Sequence, residues 1–296
     1  MTNPSRPAPG NPDPAAPARP DRLFDAYVFD LDGTIYLGDQ LLPGVAATLE
    51  LLRGRNVPVR FLSNNPTRDP EQYQAKLAAL GLPTPLADIT NTIVTTVRWL
   101  RAYHPDAVVF PIAEQPLVTA LTRAGIRTSD DPAEVDIVLA SFDRGFDYRK
   151  LQIAFDALWF HKRAILVQTN PDRYCPLPGG RGEPDCAAIV AAIEACTGVT
   201  SSANFGKPDP LMVTEALAGL GLAPERTLMV GDRLATDIAM GRAAGMSTAL
   251  VLTGDSGFAD AAALGPEQRP HYVVDTLDQL IPPDAWDAER EGPADR

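Results

Sequence analysis

The stretch Ala26-Tyr27-Val28-Phe29-Asp30-Leu31-Asp32-Gly33-Thr34 joins a short apolar run to two carboxylates and a glycine. An apolar run of this length that ends at polar residues is typical of a strand buried inside a parallel sheet. A helical pattern follows, with Val45, Leu49 and Leu52 on one face, and the apolar residues 57–62 then predict a second strand. Together these segments predict one βαβ unit.

The alternation of strands and helices continues along the rest of the chain. Asp69, Pro70 and Gln72 have the residue types of a helix N-terminus with a capping box. Further short apolar runs predict strands at residues 137–140, 164–168, 227–230, 248–252 and 272–274. The sequence therefore predicts an α/β protein built on a doubly wound parallel sheet.

The two ends of the chain and one internal stretch differ in composition from the rest. Residues 1–22 are rich in proline and lack apolar periodicity, so they are predicted to form a disordered tail. Residues 284–296 are mostly charged or small, and we expect a flexible C-terminus. The proline and glycine content of residues 176–184 indicates a hinge.

Composition and charge exclude several classes of protein. The chain has 296 residues, of which 45% are hydrophobic and 22% are charged, as in ordinary globular proteins. Its net charge of -12 repels phosphate backbones and anionic lipid head groups, so we expect neither nucleic acid nor membrane partners. The N-terminus lacks a signal-peptide pattern, and the three cysteines lack metal or redox spacing, which predicts a cytoplasmic protein.

Four polar clusters follow predicted strands or begin a helix. They are residues 30–34, 63–65, 206–208 and 231–237. Because the carboxyl ends of the strands in an open parallel sheet line one crevice, these clusters are expected to meet there.

The residue types in these clusters suit a bound phosphate. The carboxylates of Asp30, Asp232 and Asp237 would repel one another unless a hard cation lay among them, and Mg²⁺ with oxygen ligands suits that arrangement. Lys207 would add positive charge on the opposite side. Hydroxyl and amide donors would bind the remaining phosphate oxygens, and the candidates are Thr34, Ser63 and Asn64. The sequence thus predicts a phosphoryl-transfer site.

Asp30 and Asp32 are predicted to take different roles in this site. Side chains two residues apart leave a strand on the same side, so both can face the crevice. Asp30 is the candidate nucleophile, which would form an aspartyl phosphate. Asp32 is the candidate acid and base, which would protonate the leaving oxygen and then activate water. Gly33 lets the backbone turn tightly beside the phosphate.

The motifs occur in an order that is found in a known family. The sequences Asp30-Leu31-Asp32-Gly33-Thr34, Ser63, Gly206-Lys207-Pro208 and Gly231-Asp232 followed by Asp237 resemble the four motifs of haloacid dehalogenase superfamily phosphatases. The sequences Thr34-Ile35-Tyr36-Leu37-Gly38, Ser63-Asn64-Asn65 and Thr169-Asn170-Pro171-Asp172 are similar to the NagD-type class IIA branch of that superfamily.

The resemblance implies a role for each matching residue. Asp30 would be the nucleophile, Asp32 the acid and base, and Lys207 the group that neutralises the phosphate. Mg²⁺ would be bound by Asp30, the main-chain carbonyl of Asp32 and Asp232, with Asp237 in support. The substrate would be a small phosphate monoester, such as a sugar phosphate, a nucleoside monophosphate, phosphoglycolate, pyridoxal phosphate or p-nitrophenyl phosphate.

The resemblance also implies a domain organisation. Residues 23–85 and 186–283 would form a Rossmann-like catalytic core, and residues 86–185 would form an inserted α/β cap domain of the C2 type over the active site. Members of this branch often pair through such caps, which implies a homodimer, although the sequence itself does not fix the oligomeric state.

Four further residues are candidates for contacts to the substrate. Asn65 belongs to the second motif, Asn170 and Asp172 lie in the insert, and Asp185 lies beside the predicted hinge, in a segment that replaces a more glycine-rich loop of the branch. Asn170 and Asp172 are also compatible with ordinary turn chemistry, because Asn-Pro-Asp is a common turn sequence.

Two other functions fit the same motifs. A phosphorylatable receiver or phosphate-binding module also uses an aspartate, Mg²⁺, a hydroxyl residue and a lysine on a doubly wound sheet, but it needs neither Asp32 nor a long insert over the site. A phosphotransferase would pass the phosphoryl group to a second hydroxyl instead of to water. Asp32 therefore favours a hydrolase over a receiver, while a phosphotransferase differs only in the acceptor.

Overall fold

The computed structural model describes residues 19–177 and 181–290. Its strands are β1 (Ala26–Asp30), β2 (Tyr36–Leu37), β3 (Gln40–Leu41), β4 (Val59–Ser63), β5 (Ile89–Asn91), β6 (Val108–Ile112), β7 (Arg127–Thr128), β8 (Ile137–Ala140), β9 (Ile165–Gln168), β10 (Tyr174–Leu177), β11 (Arg181–Pro184), β12 (Thr227–Gly231), β13 (Ser247–Val251) and β14 (Tyr272–Val274). Its helices are α1 (Val45–Gly54), α2 (Pro70–Ala79), α3 (Thr92–Tyr103), α4 (Gln115–Arg123), α5 (Tyr148–Phe155), α6 (Cys186–Thr197), α7 (Leu211–Leu217), α8 (Ala239–Ala243), α9 (Phe258–Ala263) and α10 (Pro283–Arg290). Short 3₁₀ segments lie at Leu86–Asp88, Pro224–Arg226 and Leu277–Leu280, and π-helical turns lie at Asp156–Phe160 and Leu234–Ile238.

Six parallel strands form the larger sheet, in the order β14-β13-β12-β1-β4-β5. From β1, the strands β4 and β5 extend the sheet on one side, and β12, β13 and β14 extend it on the other. Phe29 of β1 lies between Phe61 of β4 and Val230 of β12. The predicted doubly wound parallel sheet is confirmed, and the point where the strand order reverses lies at β1, where ligands bind in sheets of this kind.

Both faces of the larger sheet are covered, as the apolar run of β1 predicts. Phe29 is fully buried on one face, where its ring centroid lies 6.2 Å from that of Phe61. Val28 faces the opposite side and packs in a cluster with Met229. Because all five residues of β1 are buried, this strand reads as an uninterrupted apolar run up to Asp30.

Helix α2 begins at the predicted capping box, which is confirmed. The side chain of Asp69 accepts a hydrogen bond from the backbone N–H of Gln72, and the side chain of Gln72 accepts one from the backbone N–H of Asp69, each at 2.8 Å. Tyr73 and Leu77 of this helix are buried against the core. The capped start of α2 thereby fixes the position of Tyr73.

A second sheet contains four parallel strands, in the order β7-β6-β8-β9. Helices α3 and α4 pack on one of its faces, and α5 and α6 pack on the other. Residues 202–205 run along the outer edge of β9, where the N–H of Ser202 donates to the carbonyl of Leu166 at 2.9 Å and the N–H of Phe205 donates to that of Gln168 at 3.0 Å. These residues supply the edge of β9 with main-chain partners.

The boundaries between the two sheets differ from those predicted for core and insert. Strand β5 falls inside the predicted insert but pairs with β4 of the larger sheet. Helix α6 falls in the predicted core but packs on the smaller sheet through Cys186, Ile189 and Ile193. A three-residue strand carries too little sequence pattern to be recognised, and an apolar helix face does not say which sheet it covers.

The predicted hinge at residues 176–184 overlaps a β-hairpin. Strands β10 and β11 pair antiparallel, with Tyr174 opposite Pro184 and Pro176 opposite Gly182. Residues 178–180, between these strands, lie outside the described residues. The proline and glycine content of this segment is therefore that of a hairpin, since turns that join paired strands favour such residues.

The prediction of a flexible C-terminus is wrong for residues 284–290, which belong to α10. Ala285 is buried, and Trp286 packs against the core of the larger sheet, so an apolar contact holds this segment. Residues 291–296 of that prediction, and residues 1–18 of the predicted tail, lie outside the described residues; within the rest of the predicted tail, Pro20 is buried. Across residues 19–177 and 181–290, no helix combines the length and the apolar character needed to cross a bilayer.

Candidate active site

A cavity of about 500 Å³ lies where the strands of the larger sheet end, and residues of the β10–β11 hairpin, its flanking segments and the loop after β8 also line it. Asp30 reaches it from the end of β1, Ser63 from the end of β4, and Asp232 from the residue after β12. Asp172 and Asp185 reach it from the segments that flank the hairpin. The predicted convergence of distant motifs at one crevice is what the structure shows.

Lys207 is the cation at the base of this cavity. Its side chain is 4% exposed, and its Nζ donates hydrogen bonds to Asp30 and, at 2.6 Å, to Asp237 Oδ1. Burial alone would lower the pKa of Lys207, but the charges of Asp237 and Asp30 raise it above its usual range. Burial raises the pKa of Asp30, whereas the ammonium of Lys207 favours its charged form. The lysine therefore carries a full positive charge beside the candidate nucleophile.

The carboxylates of Asp30, Asp232 and Asp237 form a cluster that fits a divalent cation. One oxygen from each lies within 4.8 Å of the others. Asp232 Oδ2 accepts the N–H of Asp255 at 2.8 Å, whereas Asp232 Oδ1 is buried and has no hydrogen-bond partner among the described residues. Burial and the neighbouring charge of Asp237 raise the pKa of Asp232 to about 6. A buried carboxylate oxygen without a partner is a ready ligand for a hard cation such as Mg²⁺.

Asp237 has a supporting position in this cluster, as the resemblance implies. Its Oδ1 accepts from Lys207, and its Oδ2 accepts the backbone N–H of Arg233 at 3.1 Å. The side chain is fully buried. Both oxygens are therefore engaged in holding Lys207 and the turn after β12.

Gly33 allows the chain to pass close to Asp232. Its φ of +86° lies in the left-handed region, and a Cβ atom at this position would stand 2.6 Å from Asp232 Oδ2. A side chain at this position would therefore be strained and would displace the carboxylate. This agrees with the tight turn predicted for Gly33.

Asp32 opens onto the cavity, and its side chain is not one of the clustered carboxylates. Its Oδ2 accepts a long hydrogen bond of 3.4 Å from the hydroxyl of Tyr36. Desolvation by the cavity walls raises the pKa of Asp32, while the charges of Lys76 and Arg68 oppose the rise. A raised pKa favours the protonated carboxyl, which is the form that a general acid needs.

Ser63 and Asn64 both line the cavity, but their polar atoms are engaged differently. Ser63 Oγ lies 2.9 Å from the hydroxyl of Tyr73 and accepts the N–H of Asn65 at 3.2 Å. The carboxamide of Asn64 is bonded to the main chain of Lys207 and to Asp172. The structure therefore uses the Asn64 side chain to hold protein groups, and the phosphate contact predicted for Asn64 stays a prediction.

Two other predicted residues do not reach the cavity. Thr34 is fully buried, and its Oγ1 has no hydrogen-bond partner in the described part of the chain. Asn170 is also fully buried, and its Nδ2 donates to the carbonyl of Asn64 at 3.2 Å. Neither residue lines the cavity. The phosphate contact expected of Thr34 and the substrate contact expected of Asn170 are therefore not supported.

Asn65, Asp172 and Asp185 do line the cavity, as predicted for substrate residues. Asn65 Oδ1 accepts from the N–H and hydroxyl of Thr67 at 2.9 and 2.7 Å. Asp185 is the N-cap of α6, where its Oδ1 accepts the N–H of Cys186 at 2.6 Å. Burial and the nearby Asp172 raise the pKa of Asp185 to about 7.

Sequence patterns missed several cationic residues that line the cavity. Arg233 directly follows Gly231-Asp232, and this position next to a motif could have predicted that it lines the cavity. Arg144 comes from the loop after β8 and pairs with Glu114 at 2.7 Å and with Glu183 of the hairpin at 2.8 Å. No local pattern marks Arg144, because its partners lie on separate segments. Arg68 and Lys76 complete this group.

Comparison with known proteins agrees with this geometry. Residues 27–127 match the family described as haloacid dehalogenase-like hydrolase, and residues 204–280 match the HAD-hydrolase-like family. The chain is similar to the acid sugar phosphatase of Staphylococcus epidermidis, with 34% identity over 259 residues, which cover 87% of this chain and 97% of the relative.

Solved structures give the same result. The 4-nitrophenylphosphatase of Thermotoga maritima has a TM-score of 0.81 and 32% identity, over 87% of this chain and 96% of the other. NagD from E. coli K-12 has a TM-score of 0.77 and 26% identity, over 87% of this chain and 98% of the other. The motifs and the cavity agree with these relatives, which the chain matches over nearly their whole length. The chain belongs to the haloacid dehalogenase-like hydrolases, as a phosphatase of the NagD-type class IIA branch.

Proposed function

We propose that this protein hydrolyses a small phosphate monoester through an aspartyl phosphate formed on Asp30, with Mg²⁺ as cofactor. The observation that carries the proposal is the convergence of Asp30, Lys207 and the unpartnered oxygen of Asp232 at one cavity. Phosphoryl transfer requires a nucleophile, a positive charge beside it and an oxygen ligand that can bind a divalent cation.

The first step transfers the phosphoryl group to Asp30. A carboxylate oxygen of Asp30 forms a bond to phosphorus while the bond from phosphorus to the leaving oxygen breaks. Asp32 donates its proton to that leaving oxygen, so the alcohol departs neutral. The direction of the pKa shift of Asp32 supports this role, because a raised pKa favours the protonated carboxyl that a general acid needs.

The second step releases phosphate. Asp32, now a carboxylate, takes a proton from water, and the water oxygen attacks phosphorus while the bond to Asp30 breaks. Asp30 and Asp32 return to their starting states, and the sum of the two steps is hydrolysis of the ester. Lys207 and the hydroxyl of Ser63 bind the equatorial oxygens as charge shifts during both steps.

Asp30, the main-chain carbonyl of Asp32 and Asp232 would hold Mg²⁺, with Asp237 in support. Bound there, the cation would neutralise charge on the transferring phosphoryl group. The carboxylate set and the buried, unpartnered Asp232 Oδ1 support this assignment.

We further propose that the smaller sheet and its helices act as the cap, which opens to admit substrate and closes to exclude bulk water. Asn65, Asp172 and Asp185 would contact the leaving group. The relatives named acid sugar phosphatase and 4-nitrophenylphosphatase favour a sugar phosphate as the natural substrate and p-nitrophenyl phosphate as a probe. A cytoplasmic location stays a prediction of the cysteine spacing and the N-terminal sequence, and pairing of two copies through their caps stays a prediction of the resemblance.

The test is release of inorganic phosphate from p-nitrophenyl phosphate and a panel of sugar phosphates, in Mg²⁺ and in chelator. We expect release that needs the metal, and the ranking of the panel would indicate the substrate. Addition of alcohols as competing acceptors separates hydrolysis from phosphotransfer, because only a phosphotransferase forms a new ester. If no compound on the panel released phosphate, the proposal of a monoester hydrolase would fail.

A further inference from the structure

The segment that carries Lys207 has no regular secondary structure. Residues 204–207 follow the edge of β9 and lead to the bend before α7. A lysine whose Nζ must stay between Asp30 and Asp237 needs a fixed main chain, because its long side chain has many rotamers. Because this segment is neither a strand nor a helix, other contacts must hold its main chain in place.

The carboxamide of Asn64 is bonded to both main-chain polar groups of Lys207. The N–H of Lys207 donates to Asn64 Oδ1 at 2.7 Å, and Asn64 Nδ2 donates to the carbonyl of Lys207 at 3.0 Å. The second proton of Nδ2 reaches Asp172 Oδ2 at 3.1 Å. The side chain thus pairs with a residue of the loop as a neighbouring strand would.

A second asparagine, Asn204, makes a local contact of the same kind with Gly206, two residues after it in the loop. Asn204 Nδ2 donates to the carbonyl of Gly206 at 2.6 Å, and the N–H of Gly206 donates to Asn204 Oδ1 at a longer 3.4 Å. Between them, the hydroxyl of Thr95 donates to the carbonyl of Phe205 at 2.7 Å. Phe205, Gly206 and Lys207 are therefore each bonded to a side chain; Thr95 and Asn64 reach them from other segments, and Asn204 lies in the loop itself.

Gly206 makes the close approach of Asn64 to this loop achievable. A Cβ atom on Gly206 would stand 2.7 Å from Asn64 Oδ1 and 2.7 Å from the carbonyl of Thr169. A side chain there would push the carboxamide away from Lys207. The glycine of the Gly-Lys-Pro motif thus serves the contact with Asn64.

We propose that Asn64 and Asn204 are positioning residues that fix the main chain of Gly206 and Lys207, so that the Lys207 ammonium stays aimed at the phosphoryl group. The proposal rests on the proposed function, in which Lys207 binds the transferring phosphate. A displacement of a catalytic group by about 1 Å can cost on the order of 100-fold in rate. We expect substitution of Asn64 to lower the rate more than substitution of Asn204. Asn64 bonds to Lys207 itself, and both of those hydrogen bonds have normal lengths.

The activity test compares Asn64→Ala and Asn204→Ala with a matched control, Asn91→Ala. Asn91 is fully buried and makes two side-chain hydrogen bonds, to Arg68 O at 2.8 Å and from Val94 N at 3.2 Å, but none to the lysine loop. We expect kcat to fall roughly 10- to 100-fold in Asn64→Ala and less in Asn204→Ala, with KM changed less than about threefold. Asn91→Ala should lose thermal stability and keep kcat.

A double-variant cycle separates positioning from direct binding. In a Lys207→Met background, Asn64→Ala should lower kcat by less than about threefold further, because there is no longer an ammonium to aim. If Asn64→Ala kept its full effect in that background, or raised KM and the inhibition constant of inorganic phosphate there, Asn64 would bind phosphate itself and the proposal would be overturned.

Amide hydrogen exchange measures the protection of the Gly206 and Lys207 N–H groups, and it does not depend on activity. The N–H groups of Gly206 and Lys207 are both donated to asparagine side chains, so Asn64→Ala should speed exchange at Lys207 and Asn204→Ala at Gly206, while Asn91→Ala changes neither. Unchanged exchange in both variants would overturn the contacts. If the wild type released no phosphate from any ester while exchange responded as expected, the contacts would stand and the proposed function would be at fault.

Discussion

The two walls of the cavity are built in opposite ways. On the core wall, Lys207 is 3% exposed and its ammonium is bonded to two carboxylates. The opposite wall, formed by the hairpin and the loop after β8, is called the cap wall here after the proposed cap; on it the side chain of Arg144 is 50% exposed and Tyr174 is 46% exposed. The hydroxyl of Tyr174 reaches Asp255 of the core by a long contact of 3.3 Å. The cation of the core wall is therefore buried and bonded to two carboxylates, whereas Arg144 and Tyr174 of the cap wall are partly solvated and held by a few contacts.

From this difference we infer that the core wall carries the chemistry and the cap wall selects the substrate. Buried charges act at low dielectric and need no reorganisation during the reaction, which suits groups that stabilise a transition state. Exposed side chains on a hairpin and loops can adapt to the part of the substrate that does not react. We therefore expect substitutions on the core wall to lower kcat and substitutions on the cap wall to change the order of preferred substrates.

The largest effect is expected from Asp30→Asn on the core wall. The amide keeps the shape of the carboxylate but is a poor nucleophile, so turnover should fall by about 10³-fold or more. Steady-state phosphate release, with circular dichroism to verify folding, measures this. Turnover close to that of the wild type would contradict the assignment of Asp30.

Lys207→Met should have the next largest effect. The variant keeps an unbranched side chain but removes the charge, which should lower kcat by about 10²- to 10³-fold, as for the loss of one charge-stabilising donor. It also leaves Asp30 and Asp237 close together without a cation, so thermal stability should fall in the absence of metal. A variant with wild-type kcat and KM would remove Lys207 from the reaction.

Arg144→Ala tests the cap wall. It releases Glu183 of the hairpin and Glu114, and it removes a cation from the cavity. We expect kcat/KM to change by up to about 10-fold in a way that differs between substrates, with p-nitrophenyl phosphate affected least. The control is Arg149→Ala, an exposed arginine paired with Asp130 outside the cavity. A uniform loss on every substrate would place Arg144 with the core wall instead.

The smallest effect concerns stability and comes from Asp185→Asn. Burial and Asp172 raise the pKa of Asp185 to about 7, against about 3.9 for an aspartate in an unfolded chain. The folded state therefore holds this proton more tightly, and the contribution of Asp185 to the free energy of unfolding is lost as pH rises from about 4 to 7.

The asparagine cannot ionise and still caps α6, so the variant should match the wild type near pH 4 and exceed it in free energy of unfolding at pH 8. Urea unfolding at several pH values measures the difference. Asp147→Asn, at the exposed N-cap of α5, is the control and should show no such trend. A variant that was less stable at pH 8 would contradict the burial of this carboxyl.

The core wall could be predicted from sequence, and the cap wall for the most part could not. Asp30, Lys207 and Asp232 each follow a strand or precede a helix, so the doubly wound topology brings them together. The sequence could not show the burial of Thr34 and Asn170, which keeps both out of the cavity lining, because no local pattern distinguishes a buried polar side chain from an exposed one. The role of Asn64 in holding Lys207 depends on two segments that are far apart in the sequence.

On the cap wall, the sequence indicated Asp172 and Asp185 but not Arg144. Its two ion pairs join three separate segments, and such pairs have no periodicity to detect. The predicted boundary between core and insert was wrong for a related reason. Residues 89–91 form a strand of the larger sheet only because β4 offers them an edge. Tertiary contacts of this kind decide the assignment of short elements.

The central claim is that Asp30 is phosphorylated and that Asp32 then activates water, and pre-steady-state kinetics of Asp32→Asn test it most directly. With p-nitrophenyl phosphate the leaving group needs no proton, so the first step should proceed and the second should stall. We predict a burst of p-nitrophenolate equal to the enzyme concentration, with the phosphoryl group on the peptide that contains Asp30, and no burst in the double variant Asp30→Asn with Asp32→Asn. A burst that persists in the double variant, or a phosphoryl group on another residue, would contradict the account.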